Sequence, residues 1–421
     1  MARPRVLFVS EAVTLAQVVR LATLARTLDP SRYDVHFAAS HFDELVFGGA
    51  RFTRHDIFSL GPATVEARVA GGRRIYGRRT LARYVAEERA LLRKVRPALV
   101  VGDLRLSLSV SAPLSRVPYA CLINAYWSPR AARDGWPMPD HPIVRWLGVE
   151  RARVHFPKAL PFVFRHFAAP VNRLRAEHQL PEIGSLPQVL THADHVLFPD
   201  APGLTGVRAL APHERYLGPV LWSPDVPLPP WWAELEPGRP TVYVTLGSSG
   251  RAEALPIAVE AAAALGCQVL VATAGRTRLA NVPARVHVAD YLPGHLAARR
   301  ADLVISNGGS TTSYQALAEG RPVLGIPSNL DQYLAMSAIE TAGAGLHLRA
   351  GTLTREQVRG TLERLLGDPT FKVAAAGARA ELGRWRAADR FGAFVDAVTG
   401  AGVGPGVAAW DAGPVPTEAP S

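Results

Sequence analysis

The chain has 421 residues, 48% hydrophobic and 20% charged, an ordinary globular composition long enough for two or three domains with separate cores. Its net charge of +11 comes from 47 basic residues, all arginine except Lys94, Lys158 and Lys372; they are scattered, with no run of five and no aromatic-basic recognition motif, which argues against a nucleic-acid partner. Cys121 and Cys267 lie far apart with no C-x-x-C, which speaks against a disulfide framework or a zinc site and fits a reduced, cytoplasmic setting.

The opening residues, MARPRVLFVSEAV, are interrupted by Glu11 too early for a secretory signal, and no apolar run of about 18 residues predicts a transmembrane helix. RVLFVS (5–10) is an apolar strand. A helix follows over 15–28, with apolar residues at Leu15, Val18, Val19, Ala22, Ala25 and Leu28, and then a second strand, DVHFAAS (34–40). PALVVGD (97–103) and PYACLIN (118–124) are further strands flanking the helix-like LRLSLSVSAPLSR. Strands alternating with helices imply a parallel sheet with right-handed crossovers. From 126 to 180, Trp127, Trp136, Trp146, Phe156, Phe162, Phe164 and Phe167 are interleaved with arginines, a pattern that suits core packing or, through its basic and aromatic side chains, a peripheral membrane contact.

Residues 217–230, LGPVLWSPDVPLPP, carry five prolines and read as a semi-rigid linker. A second α/β series follows, with strands at 241–250, 268–274, 284–290, 301–306 and 322–327. The expected fold class is therefore α/β, with two doubly wound Rossmann-like domains. Their limits are 1–216, a linker at 217–235, and 236–385, followed by a C-terminal helix (386–400) and a disordered Gly/Pro/Ala-rich tail (401–421).

The stretch NGGSTTSYQALAEGRPVLGIPSNLDQ, from position 307, carries the chemistry. An apolar strand precedes it and TTSYQALAEG has helical composition, so Gly308 and Gly309 fall at a strand-to-helix turn. The first N–H groups of a helix lack backbone partners and carry a partial positive charge, so a phosphate fits there. The glycines allow close approach, and Ser310, Thr311 and Thr312 add hydroxyls. An ordinary Asn-Gly turn capped by a hydroxyl residue has the same composition. Ser248 and Ser249 of LGSSG end the first strand of this half and fall on the same carboxyl edge, where open α/β sheets bind ligands. Asp331 and Gln332 begin the next helix there; an acid beside an amide can hold sugar hydroxyls, although Asp331 could equally cap its helix.

Taken together, LGSSG, DYLPGHLAARRADLVISNGGSTTSYQ and LDQ resemble the donor half of inverting glycosyltransferases with the GT-B fold, the family of UDP-glucuronosyltransferases and bacterial natural-product glycosyltransferases. The match is specific over 240–345 and looser over 1–218. The resemblance implies two domains facing each other across a cleft, a UDP- or TDP-sugar on the second and a hydrophobic small-molecule or lipid acceptor on the first. Ser248 and Gly308 to Thr312 would hold the diphosphate, Asp331 and Gln332 the sugar, and Leu292 and Pro293 would meet the nucleobase. Asn307 stands where the family usually has His, keeping a donor without the charge. In the family, the region matching 126–180 lines the acceptor site.

Inverting transfer needs a base for the acceptor proton and a stabiliser for the departing diphosphate. No Asp-x-Asp occurs, so no metal cofactor is expected and the helix N-terminus at 310–313 would take the charge. The family's base is a His at the start of the first helix, oriented by an Asp. Asp103 matches the Asp, but Gln17 stands at the His position and is no base near neutral pH. Glu11 is the leading substitute, with Asp103 acting directly next and His41 a weaker candidate. Otherwise the acceptor is acidic enough to need little help, or the chain is a nucleotide-sugar 2-epimerase or a non-catalytic nucleotide-sugar-binding partner.

Overall fold

The computed structural model describes residues 2–11, 15–280 and 282–400; the expected tail at 401–421 lies outside them. Among the described residues, the strands form two all-parallel sheets belonging to two compact units.

In the first sheet, β1 (Arg5–Ser10), β2 (Asp34–Ala39), β3 (Thr53–Asp56), β4 (Leu99–Asp103), β5 (Tyr119–Leu122), β6 (His195–Phe198) and β7 (Glu214–Tyr216) lie in the order β3-β2-β1-β4-β5-β6-β7. The run Val6–Phe8 and all of β4 are fully buried because helices cover both faces, the reason parallel strands read as continuous apolar runs. Phe8 and Phe37 stack at 6.0 Å between ring centroids. The helix expected over 15–28 spans Leu15–Arg26, and the one after β4 spans Leu108–Ser115.

The second sheet comprises β8 (Thr241–Thr245), β9 (Gln268–Ala272), β10 (Val286–Ala289), β11 (Leu303–Ser306), β12 (Val323–Gly325) and β13 (Gly345–His347), in the order β10-β9-β8-β11-β12-β13. Its core joins Val242, Val244, Val269, Val271, Leu303 and Ile305 to the alanine-rich helix Ala254–Ala264. Strands β3, β6, β7 and β13 add to those read from sequence; β3, TRHD, is polar and mostly exposed, so it carries no apolar signature.

The division into units differs from the expected limits in two places. The second unit takes in Gly135–Trp146 along with Leu221–Arg384, and the first regains the chain at 385–400. The helix Ala387–Thr399 returns to the first sheet because Phe391 and Phe394 need an apolar partner: Phe391 packs on Phe8 at 5.9 Å and Phe394 on His195 at 5.2 Å. Arg390 Nε also donates to the Tyr216 carbonyl at 2.8 Å.

This return passes a tight joint. Gly218 has φ +97°, and a Cβ there would lie 2.4 Å from the Trp385 Cβ. Gly218→Ala therefore meets both an unfavourable dihedral and a clash with a second segment, and should destabilise the fold by about 2–4 kcal/mol. Urea unfolding would measure this, and an unchanged midpoint would show that the joint adapts.

Candidate active site

Order reverses between β1 and β4, so their carboxyl ends flank the switch point of the first sheet, with Ser10 in register with Asp103. Asp103 is fully buried, and Arg20 from the first helix grips both its oxygens, Nε to Oδ2 at 2.9 Å and Nη2 to Oδ1 at 2.8 Å. The third Arg20 arm, Nη1, donates to Asn124 Oδ1 at 2.6 Å, and Asn124 Nδ2 donates to Asp200 Oδ1 at 2.9 Å. A buried bidentate ion pair thus ties the first helix to the ends of β4, β5 and β6. Asp103 was expected to orient a base at position 17 or to act as base itself; in the structure it is the counter-ion of Arg20. Gln17 lies one turn before Arg20 on the same helix and is 9% exposed. The signal for Arg20 was present in sequence as an arginine inside the apolar run Val18-Val19-Arg20-Leu21-Ala22.

Glu11 is likewise buried, at 1% exposure. Tyr84 Oη donates to its Oε1 at 2.9 Å, and Arg105 Nη1 donates to its Oε2 at 3.2 Å. Arg105 also donates from Nε to Glu88 Oε1 at 2.7 Å and from Nη1 to Ser59 Oγ at 2.8 Å, with its guanidinium 3.8 Å from the Tyr84 ring centroid. One arginine thus serves two buried acids. Burial pushes the Glu11 carboxyl up to about 7; the Glu88 charge adds to this, while Arg105 and the Tyr84 hydroxyl oppose it. His41 is exposed.

In the second sheet the switch point falls between β8 and β11, with Ser306 in register with Thr245. The two glycine turns leave the sheet from these adjacent ends. Ser306 Oγ accepts from the Gly308 N–H at 3.0 Å, and Asn307 Oδ1 accepts from the Gly309 N–H at 2.9 Å. Asn307 Nδ2 donates to Ser249 Oγ at 3.0 Å, so the asparagine braces one turn against the other, and its amide donor is not simply presented to a phosphate. Gly308 has φ +78° and packs so closely that a Cβ would sit 2.8 Å from Met336 Cγ. Gly309 occupies the cap position of the helix Ser310–Ala318 without a side chain to satisfy its first turn. Thr311 and Thr312 are half-buried there, Ser310 is buried and Ser248 is exposed. Arg276, not singled out from sequence, clasps the other turn, donating from Nη1 to the carbonyls of Ser248 and, at 3.2 Å, Gly250.

Asn329, rather than Asp331, caps the helix Leu330–Thr341, accepting from the Gln332 N–H at 3.1 Å. This leaves Asp331 half-buried in the first turn of that helix. Gln332 completes the capping box, its Oε1 accepting from the Asn329 N–H at 3.4 Å and also from the Ser328 N–H at 2.9 Å, so only its Nε2 side remains for a ligand. Leu292 and Pro293 are buried, and Tyr291 is the exposed ring of that loop, at 36%. Sequence reasoning also missed Asp140, whose segment joins this unit. Its Oδ1 accepts from Tyr333 Oη at 3.0 Å and Arg349 Nη2 at 2.7 Å, and its N–H donates to the Ser328 carbonyl at 3.0 Å. The aromatics of 126–180 do not form one surface: Trp127 and Phe164 are buried, while Trp146 and Phe162 are 83% and 74% exposed.

A family model described as "Erythromycin biosynthesis protein CIII-like, C-terminal domain" matches residues 257–384. A PGL/p-HBAD biosynthesis glycosyltransferase of Mycobacterium tuberculosis is 47% identical over 374 residues, covering 89% of this chain and 87% of that protein. A PGL/p-HBAD biosynthesis rhamnosyltransferase of Mycobacterium bovis is 44% identical over 391 residues, covering 93% and 85%. Among solved structures, the spinosyn rhamnosyltransferase SpnG complexed with thymidine diphosphate superposes with a TM-score of 0.66 over 91% of this chain and 98% of that one. At 22% identity, that likeness is one of fold.

The Glu11 cluster has a signature in pH. An unfolded glutamate releases its proton near 4.5 and the folded one near 7, so the folded state binds more protons between these values. The stabilising contribution of Glu11 is present below about 4.5 and is lost as pH rises to about 7. Glu11→Gln stays neutral throughout, so its melting temperature relative to the parent should rise between pH 5 and 7 and then level off. A constant gap in scanning calorimetry would mean that Glu11 is already ionised in the fold.

Proposed function

Because the chain belongs to the family of the PGL/p-HBAD biosynthesis glycosyltransferases and is itself a glycosyltransferase, we propose that it moves a sugar from a TDP- or UDP-linked donor to a phenolic hydroxyl of an apolar acceptor, with inversion and without a metal ion. The observation that carries this reading is the N-terminus of the helix Ser310–Ala318, whose cap residue Gly309 offers no side chain to it, reached through Gly308 at the switch point of the second sheet. A diphosphate there gains partial positive charge and backbone N–H donors, and the same charge stabilises it as it leaves. The thymidine diphosphate complexed with SpnG supports a TDP-linked donor. Asp331 and the Gln332 Nε2 group are the sugar contacts in this reading.

Inversion follows from a single displacement, in which the acceptor oxygen bonds to the anomeric carbon as its bond to the diphosphate breaks and the acceptor proton departs. That proton needs a destination. Asp103 is locked to Arg20, Glu11 is sequestered with Arg105 and Tyr84, and Gln17 is not basic. A phenol, whose proton is as acidic as that of tyrosine at about 10, asks much less of a base than an alkyl alcohol does.

The deciding experiment incubates the protein with TDP- and UDP-sugars and paired phenol and alcohol acceptors of similar shape, following both released nucleoside diphosphate and glycosylated product. Product should form in the presence of chelator. Phenols should outpace alcohols by about 10² or more, the value of general-base assistance. Equal rates would reveal an efficient base, and rescue of a chelated sample by magnesium would overturn metal independence.

Replacing Asp331 by Ala should weaken nucleotide-sugar binding by about tenfold or more, the value of a hydrogen bond to a charged group, while sparing the bare nucleoside diphosphate. Titration calorimetry with both ligands reads the difference. Equal losses would mean that Asp331 acts through the helix and not on the sugar.

A further inference from the structure

We propose that the solvent face of the long helix Val149–Glu177 docks on an anionic lipid membrane. Along its first five turns the helix buries one side, through Ala152, Leu160, Phe164 and Ala168. Opposite them, spaced by three and four residues and therefore stacked on one face, stand Arg151, Val154, Lys158, Phe162 and Arg165, all exposed. Val154 is 62% exposed and Phe162 is 74% exposed, the latter flanked along the face by Lys158 and Arg165. Two exposed histidines, His155 and His166, border the same face.

The charge on this face is one-signed. The acids of the helix are Glu150 in the first turn and Glu177 at the last residue, and Glu177 is engaged by Arg78. Among the described residues Arg151, Lys158 and Arg165 form no ion pair. An exposed aromatic between unpaired cations suits the boundary of headgroups and acyl chains, where the ring enters the apolar layer and the long basic side chains reach anionic headgroups. A polyanion such as DNA would satisfy the cations but leave Phe162 and Val154 without an apolar partner. A second copy meeting this face symmetrically would set like charges against each other. None of the described helices is long and apolar enough to cross a membrane, so the contact is a surface one.

The test uses the full chain in flotation with vesicles of mixed phosphatidylglycerol and phosphatidylcholine, compared with phosphatidylcholine alone. Anionic vesicles should carry the protein upward, and salt at about 0.5 M should release it by screening. Each basic residue near an anionic surface contributes about fivefold to partitioning, so Lys158→Glu with Arg165→Glu should weaken binding by roughly 25-fold or more. Removing the apolar insertion with Phe162→Ser should cost roughly tenfold at unchanged charge. Melting temperatures equal to the parent's would show that both variants fold. Equal flotation with neutral vesicles, or binding that neither variant alters, overturns the proposal. It is also overturned by tight duplex-DNA binding that the double reversal abolishes and Phe162→Ser leaves intact, or by a solution dimer that Phe162→Ser dissociates.

Discussion

A parallel sheet covered by helices on both faces has one place for polar chemistry, the carboxyl edge where its strands end. Both units obey this constraint: the bodies of β1, β4, β8 and β11 are almost wholly buried apolar residues, and polar groups gather where those strands stop. What differs is how each edge is used. The first is filled with paired side-chain charges, whereas the second sets glycine turns at a helix start.

A charge removed from water is tolerated only with a partner and with its remaining hydrogen-bonding capacity used. Arg20 meets this condition with Asp103 and Asn124, and Arg105 with Glu11, Glu88 and Ser59. The two clusters differ in balance. Arg20 grips both oxygens of Asp103, while the other buried acid of that cluster, Asp200, is reached only through Asn124. Arg105 faces two carboxylates; at Glu11 burial, helped by the Glu88 charge, outweighs Arg105 and Tyr84 and pushes the carboxyl up to about 7. Both clusters occupy the carboxyl edge of the first sheet, the place in a parallel sheet where a base would be sought.

On the second edge several polar side chains act on the loops themselves. Asn307 braces the two glycine turns, Arg276 clasps one of them, and the Gln332 carbonyl closes a capping box. Such bracing fixes where the helix N–H groups point before any ligand arrives, which is what a preorganised anion site requires. Asp140 extends the same logic from a remote part of the chain. By bonding Tyr333, Arg349 and the Ser328 backbone, it holds both ends of the loop leading to Asp331 and Gln332.

The sequence by itself determined the alternation of strands and helices, the Pro-rich break near 217–230 and the Gly-Gly turn after β11, because each is a local pattern of apolar period or of residues with unusual backbone freedom. It also carried the carboxyl edge of the first sheet for Asp103 and that of the second for Ser249 and Asp331, since strand direction follows from the parallel topology. Only the tertiary structure decided what those side chains do. Arg20 and Asp103 are 83 residues apart and Asp140 and Tyr333 are 193 apart, and no local period encodes which distant cation meets which acid. Glu11 follows a strand directly and reads as a loop acid until Tyr84 and Arg105 close over it. The helix Ala387–Thr399 shows an apolar stripe in sequence, but which sheet it covers depended on the place left open beside Phe8 and His195. Local patterns specify elements, whereas the partner of a buried charge or an apolar face is chosen by packing among all of them.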